Sequence, residues 1–165
     1  MLAAALAGGL WASGAAAQET ATPSLFTVGG GIINLNKGTP EQGYARFEYR
    51  HGERYWIIKP TAGFEVALDG SFYAFGGFNI DMFIGRSWVF MPGFAVGGWA
   101  DGRKIRLGHP LEFRSGAEVA YMFEDGSRLG VAIHHLSNAN IGEKNPGTES
   151  FMINYSIPLR QLFSR

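Results

Sequence analysis

The sequence predicts an all-β fold, an eight-stranded antiparallel transmembrane β-barrel, on three observations. Glycine, at 24 of 165 residues, and aromatics, at 14%, are both abundant, a mixture that suits twisted strands, tight turns and an aromatic-decorated surface better than helices. Eight successive segments of alternating character are each bounded by turn residues. Within several of them one alternate set is apolar while the other carries charge. That register would be costly in a soluble sandwich core but is natural in a barrel with a polar lumen and a lipid-facing exterior.

Length and charge narrow the classes. The chain is long enough for one domain, residues 18–165, with a substantial core. Without cysteine it offers neither disulfides nor thiolate chemistry. Fourteen basic residues balance fourteen acidic ones, which argues against nucleic acid as a partner and leaves membrane lipid open. Residues 1–17 read as a signal peptide: Met1 to Trp11 is small and apolar, and Ala15-Ala16-Ala17 before Gln18 offers a small-x-small cleavage pattern. No later run approaches the roughly 18 apolar residues of a spanning helix, so membrane insertion would be by strands.

In order, the first segment is Ser24 to Leu35, where Gly29-Gly30-Gly31 suggests close backbone approach or a bend. Gln42 to Arg50 follows, with Tyr44, Arg46 and Glu48 alternating against Ala45, Phe47 and Tyr49. The third runs from about Tyr55 to Leu68, with Lys59, Thr61 and Glu65 opposing Ala62, Phe64, Val66 and Leu68, and Asp69-Gly70 reads as a tight hairpin. Ser71 to Met82 is fourth and Ser87 to Trp99 fifth, followed by a polar connection to Pro110. The sixth, Leu111 to Phe123, sets Leu111, Phe113, Ala117, Val119, Tyr121 and Phe123 against Glu112, Arg114, Gly116 and Glu118. Glu124 to Ser127 turns into the seventh, Arg128 to Ser137, and the eighth is Glu149 to Leu159. With the termini on the periplasmic side, the connections at 36–41, 69–70, 100–110 and 138–148 are extracellular. Three of those four are longer than the opposite turns, as barrels prefer.

The chemistry concentrates near the end of the chain. Strand residues two apart share a face, so His135 and Ser137 follow Leu129, Val131 and Ile133 on one side, while His134 joins Arg128 and Ala132 on the other. Glu149 leads Phe151, Ile153, Tyr155 and Ile157. A hydroxyl, an imidazole and a carboxylate are the groups of a charge-oriented nucleophile. All three are expected at the outer rim on the lipid-facing side, with Phe113, so the natural substrate would be a lipid. His134 is expected in the lumen, and His51 and His109 are isolated in turns. Neither a metal nor another cofactor is called for.

These residues resemble the outer-membrane lipid A 3-O-deacylase (PagL) family. The resemblance lies in Ile133-His134-His135-Leu136-Ser137-Asn138-Ala139 with Asn145 and Glu149 at matching intervals, and extends back through Leu111-Glu112-Phe113-Arg114 and Asp125-Gly126, over roughly the last third of the chain. It implies an outer-membrane enzyme hydrolysing the ester at the 3-position of lipid A, with lipopolysaccharide as substrate and Ser137, His135 and Glu149 as nucleophile, base and orienting group. It also implies pocket or loop roles for Phe113, Asn138 and Asn145, and oxyanion donors at the Ala139 and Asn140 amides. Asn140 stands where the family pattern has glycine, and Asn tolerates left-handed geometry. A homodimer is compatible with this picture. The competing readings are a non-enzymatic small barrel serving adhesion or membrane integrity, a different lipid enzyme, and a soluble barrel of lipocalin type.

Overall fold

The structure, a computed structural model, describes residues 22–35 and 40–163. The expected signal peptide and most of the 36–41 connection lie outside the described residues. Nine strands are formed, β1 (Leu25–Ile33), β2 (Gln42–Arg50), β3 (Lys59–Ala67), β4 (Phe72–Asn79), β5 (Met82–Ile84), β6 (Trp88–Ala100), β7 (Leu111–Met122), β8 (Arg128–Ser137) and β9 (Thr148–Pro158), followed by a short helix α1 (Leu159–Phe163). All pairings are antiparallel. β1 lies between β2 and β9, and β4 pairs with β6, which closes the sheet into a barrel without free edges.

The eight-strand expectation holds because β4 and β5 are one strand with a gap. Asn79 pairs with Gly93 and Met82 with Phe90, so the same register runs across Ile80 and Asp81. The opposing Pro92 has no N–H to offer the ladder, and the Ile80 N–H to Pro92 oxygen bond, 2.9 Å, bridges the gap. Asp81 binds Lys59 at 3.0 Å and Arg128 at 2.9 Å. The third strand is shorter than expected. Tyr55 and Ile58 exchange backbone hydrogen bonds of 2.9 and 3.2 Å around a left-handed Trp56 (φ 60°), so the apolar Tyr55-Trp56-Ile57 run is a turn tip. The glycines of β1 stay in the ladder, paired residue for residue with β9.

Parity divides each strand as the alternation predicts. In β8, Arg128, Ala132, His134 and Leu136 are buried while Leu129, Val131, Ile133 and His135 are exposed. Inside, charges neutralise one another: Arg46 binds Glu65 at 2.6 Å, Arg114 also binds Glu65, and Arg50 binds Glu118 at 2.7 Å. Asn154 donates to Glu118, and the Tyr44 hydroxyl to Glu65. A network with its members paired is the arrangement in which buried charge is tolerable, because removing water leaves each ion only its protein partners. Above it, Ile33, Tyr73, Phe75, Trp99, Ile105, Leu107, Leu136 and Met152 form an apolar cluster. Outside, Val28, Phe64, Val66, Phe94, Val119, Val131, Ile133 and Ile153 are exposed, the pattern of a surface made for hydrocarbon. Trp88, Tyr121, Phe123 and Tyr155 collect at the end that holds the termini, where amphipathic rings suit a bilayer interface.

The ends of the barrel differ. Thr22 binds Gly52 and the Leu159 N–H donates to Ser24, so both described termini sit with the turns at 51–58, 85–87 and 123–127. The longer loops, 101–110 and 138–147, are at the other end.

Candidate active site

At that loop end, on the outer face, the ladder brings the candidate residues into adjacent strands. Phe113 of β7 pairs with Ser137 of β8, and His135 of β8 pairs with Glu149 of β9. His135 Nδ1 stands 3.1 Å from Glu149 Oε1, with side-chain exposures of 47% and 35%. That contact assigns the Nδ1 proton to the carboxylate and leaves Nε2 as the basic nitrogen. Ser137, two residues along the same face, is half-buried. Among the described residues no direct hydrogen bond joins its hydroxyl to the imidazole. Alternate strand positions lie roughly 6.5 Å apart along the chain, which is longer than a hydrogen bond between the two side chains' attachment points.

Immediately after Ser137 the chain leaves β8 through a tight turn. Ala139 and Asn140 both have left-handed φ, 53° and 61°, and the Ile141 N–H closes the turn on the Asn138 oxygen at 3.0 Å. Consecutive positive φ values are those of a type I′ turn, which asparagine accepts readily and alanine at a cost. The asparagines hold it. Asn138 is fully buried, and its carboxamide donates to the carbonyls of Leu107 at 3.0 Å and Lys144 at 2.8 Å. Its N–H donates to Asn145 Oδ1 at 3.0 Å, its Oδ1 accepts the Asn140 N–H at 3.1 Å, and Asn145 Nδ2 reaches Asn140 Oδ1 at 3.2 Å. The Asn140 amide is thus occupied within the turn, whereas the Ala139 amide has no partner among the described residues.

His134 points the other way, into the lumen, with Nδ1 3.2 Å from Arg46. Guanidinium can only donate, so that ring nitrogen is an acceptor there, and the sheet separates it from the outer-face groups. His51 binds the Tyr49 hydroxyl at 2.7 Å in a turn at the far end, and His109 caps the start of β7 through the Leu111 N–H at 3.0 Å.

Two features had little sequence signal. Phe113 continues a line of rings across the outer face: it stacks on Phe94 at 6.0 Å, and Phe94 meets Phe78 at 6.2 Å. Phenylalanines on lipid-facing strands are ordinary, and only the ladder register shows that these form a track ending beside Ser137. Gly147, with φ 59°, lies against the imidazole of His135. In sequence it reads only as punctuation before a strand.

A family model described as lipid A 3-O-deacylase (PagL) matches residues 11–158, which carries the resemblance seen in the last third of the chain back across the whole barrel. Among solved structures, the chain is similar to one titled as the crystal structure of the outer membrane enzyme PagL, with a TM-score of 0.67 at 21% identity, covering 81% of this chain and 99% of that one. At that identity the likeness is one of fold. Comparison with curated protein sequences gives no match.

Proposed function

The chain belongs to the lipid A 3-O-deacylase (PagL) family, and from that premise we propose that Ser137, His135 and Glu149 are the triad of an ester hydrolase working on the outer surface of the barrel, in the outer leaflet of a Gram-negative outer membrane. As a family member the protein is a lipid A deacylase. The observation that carries the finer reading is the His135–Glu149 contact of 3.1 Å on the lipid-facing side, one register step from Ser137. A histidine–carboxylate pair on a surface made for hydrocarbon is expensive unless it is used.

The reaction then runs as acyl transfer through serine. Ser137 Oγ attacks the carbonyl carbon of the ester at the 3-position while His135 Nε2 takes the hydroxyl proton. Glu149 holds the imidazole by Nδ1 and stabilises the imidazolium. The tetrahedral oxyanion is met by the Ala139 N–H, pre-aimed by the left-handed turn. Asn138, Asn140 and Asn145 are positioning residues that keep the turn in shape. The adduct collapses by breaking the bond to the sugar oxygen, which leaves with the proton from His135. Water, deprotonated in turn by His135, hydrolyses the acyl-enzyme and restores Ser137 with release of the fatty acid. Phe113 and the rings behind it offer the departing chain an apolar surface continuous with the bilayer.

The test is expression in an outer membrane followed by mass analysis of lipid A. Wild type should remove one ester-linked acyl chain, and Ser137→Ala should leave lipid A intact while the barrel still assembles. Acyl loss undiminished in Ser137→Ala would remove Ser137 as nucleophile. An unaltered lipid A with wild type would leave the non-enzymatic barrel as the better account.

A further inference from the structure

Beside the triad, the loops 101–110 and 138–147 meet over an open cavity of about 580 Å³ lined by Asp101, Arg106, Gly108, Lys144, Asn145 and Pro146. This is the size of a pocket for a small organic ligand, larger than a bare ion requires. Its charge is set by how the first loop is pinned. Asp69, in the β3–β4 turn, accepts the N–H groups of Lys104 and Ile105 at 2.9 and 2.8 Å, and its carbonyl accepts that of Arg103 at 3.0 Å. Ile105 and Leu107 are buried in the apolar cluster with Trp99 and Tyr73. Their alternation forces Arg106, between them, outward. Gly108 (φ 85°) abuts the second loop so closely that a Cβ there would stand 2.6 Å from the Lys144 carbonyl, so the backbone of Lys144 is held against the first loop and both residues line the one cavity.

Neither cation is neutralised: among the described residues the Arg106 and Lys144 side chains have no ion pair or hydrogen bond. The one carboxylate in the lining is Asp101, whose Oδ1 accepts the Trp99 indole N–H at 2.9 Å and the Leu107 N–H at 3.2 Å, so the lining carries two cations against one anion. An arginine fork and a lysine point charge lining one cavity are a phosphate-binding combination. The cavity also shares a wall with the catalytic turn. Asn145 lines it and holds the N–H of Asn138, the residue after Ser137.

We propose that this cavity is a headgroup subsite in which Arg106 and Lys144 bind a phosphate of the phosphorylated glycolipid whose acyl ester is presented to Ser137. The proposal rests on the deacylase reading above and adds the group that orients the sugar. Phosphate bound there places the ring over the two loops, so that the acyl chain descends along the outer face past Phe113.

The experiment uses the full chain in detergent micelles with two substrates, bis-phosphorylated lipid A and the same lipid A after removal of its phosphates. Arg106→Gln combined with Lys144→Gln should raise KM for the phosphorylated substrate about tenfold with kcat within about twofold, the signature of lost substrate binding. Its loss should be confined to that substrate. An equal loss on both substrates, or none on either, overturns the proposal. A binding arm separates it from the triad: Ser137→Ala protein, followed by tryptophan fluorescence, should bind phosphorylated lipid A more tightly than the dephosphorylated form, and the double substitution should abolish that difference. That result would support the subsite even if wild type released no fatty acid. Displacement by millimolar inorganic phosphate, or equal binding of phosphatidylglycerol micelles, would assign the cations to anions in general and overturn the glycolipid assignment.

Discussion

Gly147 lies beside the ring of His135: a Cβ built on Gly147 would stand 3.0 Å from the imidazole Cε1 and 3.6 Å from Nε2. The ring therefore has Glu149 at Nδ1 on one side and, on the other, space that only a residue without a side chain leaves open. Gly147→Ala meets both the crowded ring and the left-handed φ, which costs a non-glycine residue about 1 kcal/mol. We expect kcat to fall roughly ten- to hundredfold through displacement of the base, with KM and barrel assembly little changed. Steady-state kinetics beside circular dichroism check it.

Glu149→Gln keeps the shape of the side chain but removes the charge that, in the proposed triad, stabilises the imidazolium. Loss of the acid in a triad costs up to about 10⁴ in kcat when the imidazole takes the wrong tautomer. The expected outcome is a fall of at least about a hundredfold with unchanged thermal stability, since the pair is exposed on the outer face. Single-turnover release of fatty acid, alongside a melting curve in detergent, separates the two effects.

The converse holds in the lumen. Glu65 is the near partner of both Arg46 and Arg114, so Glu65→Leu leaves two buried guanidinium groups with only Glu48, 3.9 Å from each, as a counter-ion. Breaking a buried pair from one side costs about 3–5 kcal/mol. The heat-induced shift from folded to unfolded band on a gel should occur at a clearly lower temperature, whereas protein still folded should retain its kcat.

Asp69 links turn and loop through its carboxylate. Burial alone would push this carboxyl up, but the amides of Ser71, Ile105 and Lys104 that donate to it hold it down at about 2. Because the folded value is below the unfolded one, 3.8, its contribution is fully present above about pH 4 and is lost as the pH falls through about 2. Protection of the Lys104 and Ile105 amides, taken relative to their intrinsic exchange rates at each pH, should fall across that window, and Asp69→Asn should lower it already at neutral pH. Protection that is flat in both cases would show that the loop is held by Ile105 and Leu107 alone.

Phe113 pairs with Ser137 and carries no reacting group, so in the proposed site it serves as ring surface for the acyl chain. Phe113→Ala should lower kcat/KM about tenfold, mainly through KM, and Phe113→Leu should restore most of it, which kinetics on micellar lipid A would read.

Alternation by itself determined the barrel, its strand number, and which way His134, His135, Ser137 and Glu149 face, because a strand's side-chain period of two leaves no freedom once one face must be apolar. The same alternation was misleading at Tyr55-Trp56-Ile57, where apolar residues ride a turn, and it gave no sign of the gap at Ile80-Asp81, where Pro92 and the Asp81 ion pairs interrupt a strand whose register continues as expected. Tertiary structure alone decided which residues of different strands are neighbours: Glu149 opposite His135, Phe94 behind Phe113, Gly147 against the imidazole, and Arg106 in one cavity with Lys144. Those relations depend on the stagger of strands around a closed sheet and on loops anchored by buried Ile105, Leu107 and Asn138, and pairings between distant segments leave no periodic trace along the chain.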